Sequence, residues 1–177
     1  MRRRACGLRL LLFDVDGVMT DGGVILVGRT GEAKRFDIQD GMGVTLARAA
    51  GLKVGIITGR VSMPVDRRAK ELSMDEVCQG YFHKEDALEM LIEKHGLNPL
   101  QIGYVGDDIL DLPVMRRVGL PVAVSNACPE VKDHSVYVTR ARGGYGAVRE
   151  VVDWLLELRG EKEAVYRRFA AGRREKP

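Results

Sequence analysis

Hydrophobic and polar positions along the chain alternate between two rhythms. Leu10-Leu11-Leu12-Phe13 is an unbroken apolar run stopped by a charged, glycine-containing turn, which predicts a strand buried on both faces. Gly22 to Phe36 predicts a hairpin, with Val24-Ile25-Leu26-Val27 turning through Gly28-Arg29-Thr30-Gly31 into a more polar return. Asp40 is the expected N-cap of a helix whose stripe is Met42, Leu46 and Ala49-Ala50 and whose end is Gly51. Lys53 to Ile57 predicts a strand with Thr58-Gly59 as its exit, and Pro64 the first turn of a helix to about Leu72. Beyond it lie a short strand at Glu76-Val77-Cys78, a helix over Glu85 to His95 closed by Gly96, and a strand over Gln101 to Val105. A short helix over Asp107 to Arg117, strands at Val122 to Val124 and Val136 to Val138, and a helix over Ala147 to Leu158 complete the pattern. Trp154, with Val151, Leu155 and Leu158, packs that last helix on the core.

Strands alternating with helices predict an α/β fold: a Rossmann-like parallel sheet with helices on both faces. Such sheets bind ligands beyond the carboxyl ends of their strands. The 177 residues suit one domain over 1–160, with the hairpin at about 22–36 and a basic tail at 161–177. The net charge of +3 sits largely at the ends, Arg2-Arg3-Arg4 and Arg167-Arg168 to Lys176. No aromatic residues interleave with those charges, so solvated tails are expected rather than a nucleic-acid partner. Arg2 to Phe13 resembles a secretory signal only superficially, because Arg9 interrupts the apolar run and Asp14 ends it. No other stretch approaches a membrane span, and Cys6, Cys78 and Cys128 form no CxxC, so a cytoplasmic protein with reduced thiols is expected.

The strand exits hold the chemistry. They read Asp14-Val15-Asp16-Gly17, then Ile57-Thr58-Gly59-Arg60, then His83-Lys84, then Gly106-Asp107-Asp108 with Asp111. Asp14 and Asp16 share one side of an extended chain, and Gly17 permits a sharp turn. Carboxylates about 4 Å apart repel by roughly 4 kcal/mol at a surface-like dielectric. Such a crowd calls for a cation. An all-oxygen ligand set suits Mg²⁺; zinc does not fit, since no His/Cys cluster accompanies the aspartates. A carboxylate nucleophile, a second carboxylate as acid and base, and a hydroxyl, lysine and Mg²⁺ around the phosphoryl oxygens are the parts of phosphoryl transfer.

These motifs, in this order, resemble the haloacid dehalogenase superfamily of phosphatases. A narrower likeness runs from Leu11 to about Trp154, to the branch that hydrolyses 3-deoxy-D-manno-octulosonate 8-phosphate (KDO 8-phosphate) for lipopolysaccharide assembly. It includes Phe36 to Gly41, Ile57 to Arg60, Gln79-Gly80, Tyr104 to Met115 and Gly143 to Glu150. The resemblance implies Asp14 as nucleophile and Asp16 as general acid/base. Mg²⁺ is expected on Asp14, Asp107 and the Asp16 carbonyl, with Asp108 and Asp111 orienting metal-bound water. Thr58 and Lys84 hold the phosphoryl group. Asp16, Asp37, Gln39, Asp40, Gly41, Gly59, Arg60, Arg68 and Lys84 contact the phosphorylated sugar acid, an arginine fork suiting its carboxylate. A small hairpin flap replaces a large cap domain and packs in a homotetramer, and the C-terminal tail helps close the site.

Two positions depart from that pattern: His83 stands where an aspartate is expected, and Thr45 where a basic residue is common. Two other readings stay open. One keeps the chemistry on a nine-carbon sugar-acid phosphate of the 2-keto-3-deoxynononate 9-phosphate type, which Arg60 disfavours. The other is a non-catalytic or receiver-like phospho-acceptor domain, whose phosphoacceptor follows a later strand and has no acid/base two residues on.

Overall fold

The computed structural model describes residues 1–171. Its centre is a six-stranded parallel sheet of β1 (Leu10–Phe13), β4 (Lys53–Thr58), β5 (Glu76–Gln79), β6 (Ile102–Gly106), β7 (Leu120–Ala123) and β8 (Tyr137–Val138). The hairpin strands β2 (Ile25–Val27) and β3 (Gly31–Ala33) form a separate antiparallel pair. Helices α1 (Arg2–Gly7), α2 (Ile38–Ala49), α3 (Met63–Glu71), α4 (Lys84–His95), α5 (Leu112–Met115), α6 (Pro129–Asp133), α7 (Ala147–Arg159) and α8 (Lys162–Ala170) surround the sheet.

Strand order is β5-β4-β1-β6-β7-β8, so the chain reverses its direction of travel across the sheet between β1 and β6. Every residue of β1 is buried and its two neighbours are in parallel register, Phe13 facing Ile56 on one side and Val105 on the other. The crevice at this switch point opens beyond Phe13 and Gly106, where Asp14 and Asp107 follow.

Several boundaries differ from expectation for identifiable reasons. The N-cap of α2 is Asp37, whose carboxylate accepts the Gln39 N–H at 2.7 Å; Asp40 lies inside the helix. Its carboxylate accepts N–H groups of Gly146 (3.3 Å) and Arg149 (3.0 Å) instead. The N-cap of α7 is Gly146, which has no side chain, so α2 supplies the missing acceptor. The expected helix over Asp107 to Arg117 splits into a 3₁₀ turn at Ile109–Asp111 and the short α5.

Among the described residues, the segments near both ends form helices packed on the domain. Helix α1 turns Ala5 inward, with Leu8 buried just after it, while its arginines stay exposed. Within the expected basic tail, α8 buries Val165, and the Tyr166 hydroxyl donates to Asp153 at 2.7 Å and accepts from Arg149 at 2.6 Å. The rest of that tail, residues 172–177, with its expected lid role, lies outside the described residues. Among the described residues no helix is long and apolar enough to cross a membrane, and the three cysteines are unpaired.

Candidate active site

Asp14 is fixed by the sheet before any side chain acts. It is the first residue beyond β1, and its N–H donates to the Val105 carbonyl at 2.9 Å. The chain then turns tightly, with the Val15 carbonyl accepting from Val18, Met19 and Thr20. Gly17 sits at φ +93°, and a Cβ there would lie 2.0 Å from Asp107 Oδ2. Glycine is therefore required both for the backbone angle and for the approach of Asp107. Asn126 holds this loop from outside, donating to the Gly17 carbonyl at 2.9 Å and accepting the Gly143 N–H at 2.6 Å.

Lys84 begins α4 and is buried with Asp14 and Asp111, their side chains being 5%, 8% and 1% exposed. Its Nζ donates to Asp14 Oδ1 at 2.7 Å and to Asp111 Oδ1 at 2.6 Å. The fully buried Tyr104 hydroxyl donates to the same Asp111 oxygen at 2.6 Å. The other oxygen of Asp111 accepts the Asp107 and Asp108 N–H groups at 2.8 and 3.2 Å. Asp111 is thus engaged on both oxygens, aiming Lys84 and shaping the loop that carries Asp107. The Asp108 carboxylate caps Ile109 at 2.7 Å.

Carboxylate oxygens of Asp14, Asp107 and Asp111 lie within 4.8 Å of one another. Burial, then the neighbouring Asp14 and Asp111, push the Asp107 carboxyl up to about 8. Asp14 rises to about 6, burial outweighing the opposing pull of Lys84. Burial also works against the Lys84 ammonium, but Asp14 and Asp111 outweigh it and hold the lysine above its ordinary range. Lys84 therefore compensates one face of the cluster and leaves Asp107 loaded by repulsion. The open side of Asp14 and Asp107, all oxygen and roofed by a residue without a side chain, fits a hard divalent cation, which would reverse both upward shifts.

Thr58 ends β4 and is buried, its Oγ1 accepting the Arg60 N–H at 3.3 Å, with Gly59 half-buried beside it. Asp16 is more open and meets two cations: Lys34 bonds to its Oδ1, and Arg60 Nε lies 3.6 Å from its Oδ2. Arg60 also donates to Glu32 Oε2 at 2.9 Å. Lys34 and Glu32 were not singled out in the sequence. They come from the hairpin at positions i and i+2, the alternation that puts side chains on one face of an extended chain. That spacing was the available signal; Tyr104 and Asn126 gave none in periodicity.

The expected sugar-binding segment divides. Gln39 is exposed and Asp37 caps α2. Asp40, also expected at the substrate, is 2% exposed and bonded into α7. Gly41 is buried, and a Cβ there would lie 2.4 Å from a terminal nitrogen of Arg68. Arg68 donates to the Asp37 carbonyl at 3.3 Å and pairs with Glu71 at 3.0 Å. His83 is exposed, 4.0 Å from Glu85, and Thr45 donates to the Gly41 carbonyl at 3.1 Å. A cleft of about 920 Å³ between the hairpin and the start of α3 is lined by Glu32, Lys34, Arg60, Ser62 and Arg68 among others.

Comparison with known proteins bears on this arrangement. A sequence profile described as haloacid dehalogenase-like hydrolase matches residues 68–150. The 3-deoxy-D-manno-octulosonate 8-phosphate phosphatase KdsC of Escherichia coli K12 is 45% identical over 159 residues, 89% of this chain and 84% of the relative. The crystal structure of the phosphatase of that name from Moraxella catarrhalis, in complex with magnesium, phosphate and KDO, superposes with TM-score 0.91. It has 38% identity over 95% of this chain and 97% of that one. The cobalt-bound deoxy-D-mannose-octulosonate 8-phosphate phosphatase of Haemophilus influenzae superposes with TM-score 0.86. It has 33% identity, covering 91% and 94% of the two chains. By sequence and by fold, this chain belongs to the haloacid dehalogenase-like hydrolases, in the family of the 3-deoxy-D-manno-octulosonate 8-phosphate phosphatases.

Proposed function

We propose that the chain hydrolyses the phosphate monoester of KDO 8-phosphate through a phospho-aspartate on Asp14. The observation that carries this reading is the buried Asp14–Lys84–Asp111 triplet beside Asp107, at the switch point of a sheet shared with a relative that binds magnesium, phosphate and KDO. Mg²⁺ would be held by Asp14, Asp107 and the Asp16 carbonyl, and when bound it supplies positive charge against the phosphoryl oxygens.

The residues divide the reaction between them. An Asp14 oxygen attacks phosphorus, and the bond to the sugar oxygen breaks. Asp16 gives its proton to that leaving oxygen and then takes one from the water that attacks the phospho-aspartate, releasing phosphate and restoring Asp14. Thr58 and Lys84 hold the transferring group, and Lys84 compensates charge where Asp14 meets phosphorus. Arg60 and Arg68, lining the cleft, take the carboxylate end of the sugar acid.

The exposed run Val24 to Val27, each residue between 51% and 78% exposed, supports assembly of copies through the hairpin as a homotetramer. Sedimentation velocity of the whole chain tests it; a monomer at micromolar concentration ends it. A cytoplasmic location fits the three unpaired cysteines. Phosphate release from KDO 8-phosphate, the nine-carbon analogue and simple sugar phosphates, with Mg²⁺ present or chelated, tests the activity. KDO 8-phosphate is expected to lead and chelation to stop turnover. A flat ranking, or indifference to chelation, overturns the assignment.

A further inference from the structure

Two residues lining the cleft between the hairpin and α3 each carry a buried polar atom with no hydrogen bond. Ser62 is the N-cap residue of α3, yet its hydroxyl makes no capping bond; Pro64, in the first turn, has no N–H to offer. Its backbone N–H is held by the Gln79 side chain at 2.8 Å, so the residue is fixed while its hydroxyl is not. Ser62 lines the cleft, is 3% exposed, and its Oγ has no hydrogen-bond partner. On Glu32, which also lines the cleft, Oε1 is likewise buried without a partner, while Oε2 is taken by Arg60. The hydroxyl stands near enough to be the leading influence holding the Glu32 carboxyl below its ordinary range, but no hydrogen bond of good geometry closes between them.

The position ties this pair to the reaction. Arg60 reaches Asp16 at 3.6 Å with Nε and Glu32 at 2.9 Å with a terminal nitrogen. One guanidinium therefore separates the group that protonates the leaving oxygen from the Glu32 carboxylate. Glu32, Arg60 and Ser62 line the same cleft, beside the group that meets the leaving oxygen.

We propose that Glu32 and Ser62 read a hydroxyl of the substrate's sugar chain, which donates to Glu32 Oε1 and accepts from the Ser62 hydroxyl. Glu32 can only accept and Ser62 can do both, so a hydroxyl completes the pair where an apolar or purely accepting group leaves it open. The inference rests on the phosphatase reading above and adds two residues that select among monoesters.

The test compares kcat/KM for KDO 8-phosphate, a hexose 6-phosphate and p-nitrophenyl phosphate in the wild type, Ser62→Ala, Ser62→Thr and Glu32→Gln. Ser62→Ala and Glu32→Gln are expected to lower the ratio of polyol phosphate to p-nitrophenyl phosphate by about 10- to 100-fold. Ser62→Thr restores it. Melting temperatures are read alongside; the hydroxyl that Ser62→Ala removes has no partner to lose. Equal losses on all three substrates mean that the pair only positions the hairpin, and an unchanged ratio means that it reads nothing; either overturns the proposal. If the wild type cleaves the hexose phosphate and not KDO 8-phosphate, the substrate assignment alone falls and the ratio is read on the hexose phosphate. A wild type that prefers p-nitrophenyl phosphate to both overturns the hydroxyl reading itself.

Discussion

The two ends of this site are built on opposite terms. At the sheet, Asp14, Lys84, Asp111 and Tyr104 are almost wholly buried, and one lysine and one tyrosine satisfy Asp111 Oδ1 together. At the hairpin, Lys34 is itself buried, but its partner Asp16 is 23% exposed, and Arg60, 48% exposed, pairs with Glu32 beside strands whose outer residues Val24 to Val27 are more than half exposed. Breaking a buried pair leaves a charge with no solvent to meet it and is expensive; breaking a pair near the surface costs little stability. The group that attacks phosphorus is therefore held rigidly. The groups around Asp16 come from the hairpin and the turn after β4, and Asp16 itself keeps contact with solvent.

The largest effect should come from Asp14→Asn. Loss of the nucleophile is expected to lower kcat by about 10⁴-fold or more, with the circular-dichroism melt preserved because Lys84 keeps Asp111. Turnover at a tenth of wild type removes Asp14 from its role. Lys84→Met tests the rigid end itself. It strands two buried carboxylates, so denaturant unfolding should show a loss of about 3–5 kcal/mol beside a large fall in kcat. A stability change under 1 kcal/mol would erase the contrast between the two ends.

A third prediction concerns pH. Burial, against the N–H groups of Arg149 and Gly146, raises the Asp40 carboxyl from 3.8 to about 6 in the folded chain. A raised folded pKa favours the folded state fully below the unfolded value and loses that contribution as pH climbs through the folded one. Between pH 4 and 6 the Asp40 contribution should fall by roughly 2–3 kcal/mol. Asp40→Asn should flatten this slope in denaturant titrations across that range, and identical slopes would refute it. Smallest is Lys34→Met at the hairpin end. With Arg60 left beside an Asp16 that solvent still reaches, kcat should drop about tenfold, about 1.4 kcal/mol, and the melting temperature should fall less than in Lys84→Met. A drop in melting temperature matching that of Lys84→Met would place the hairpin inside the core's cooperative unit.

How much of this was readable beforehand differs between the same two ends. The Asp14-Val15-Asp16-Gly17 turn, Thr58, Lys84 and Asp107-Asp108 stand at strand exits, and apolar runs broken by charge mark those exits directly. Glu32 and Lys34 were harder to see: a Glu and a Lys two apart on a hairpin read equally well as a solvated face. Asp37 and Asp40 are both good N-cap residues. The choice fell to Asp37 because α7, capped by a glycine, had N–H groups for Asp40 to satisfy, a need invisible from α2 alone. Helices α1 and α8 were hidden by charge, since one buried residue each, Ala5 and Val165, anchors an otherwise basic segment.

The sequence by itself determined the succession of strands and helices and the chemical kinds gathered at their ends, because periods of two and 3.6 residues act between near neighbours. Tertiary structure decided who meets whom. Lys84 finds Asp14 across 70 positions and Arg149 finds Asp40 across 109. Pairings over such distances depend on strand order and burial, which no local pattern encodes.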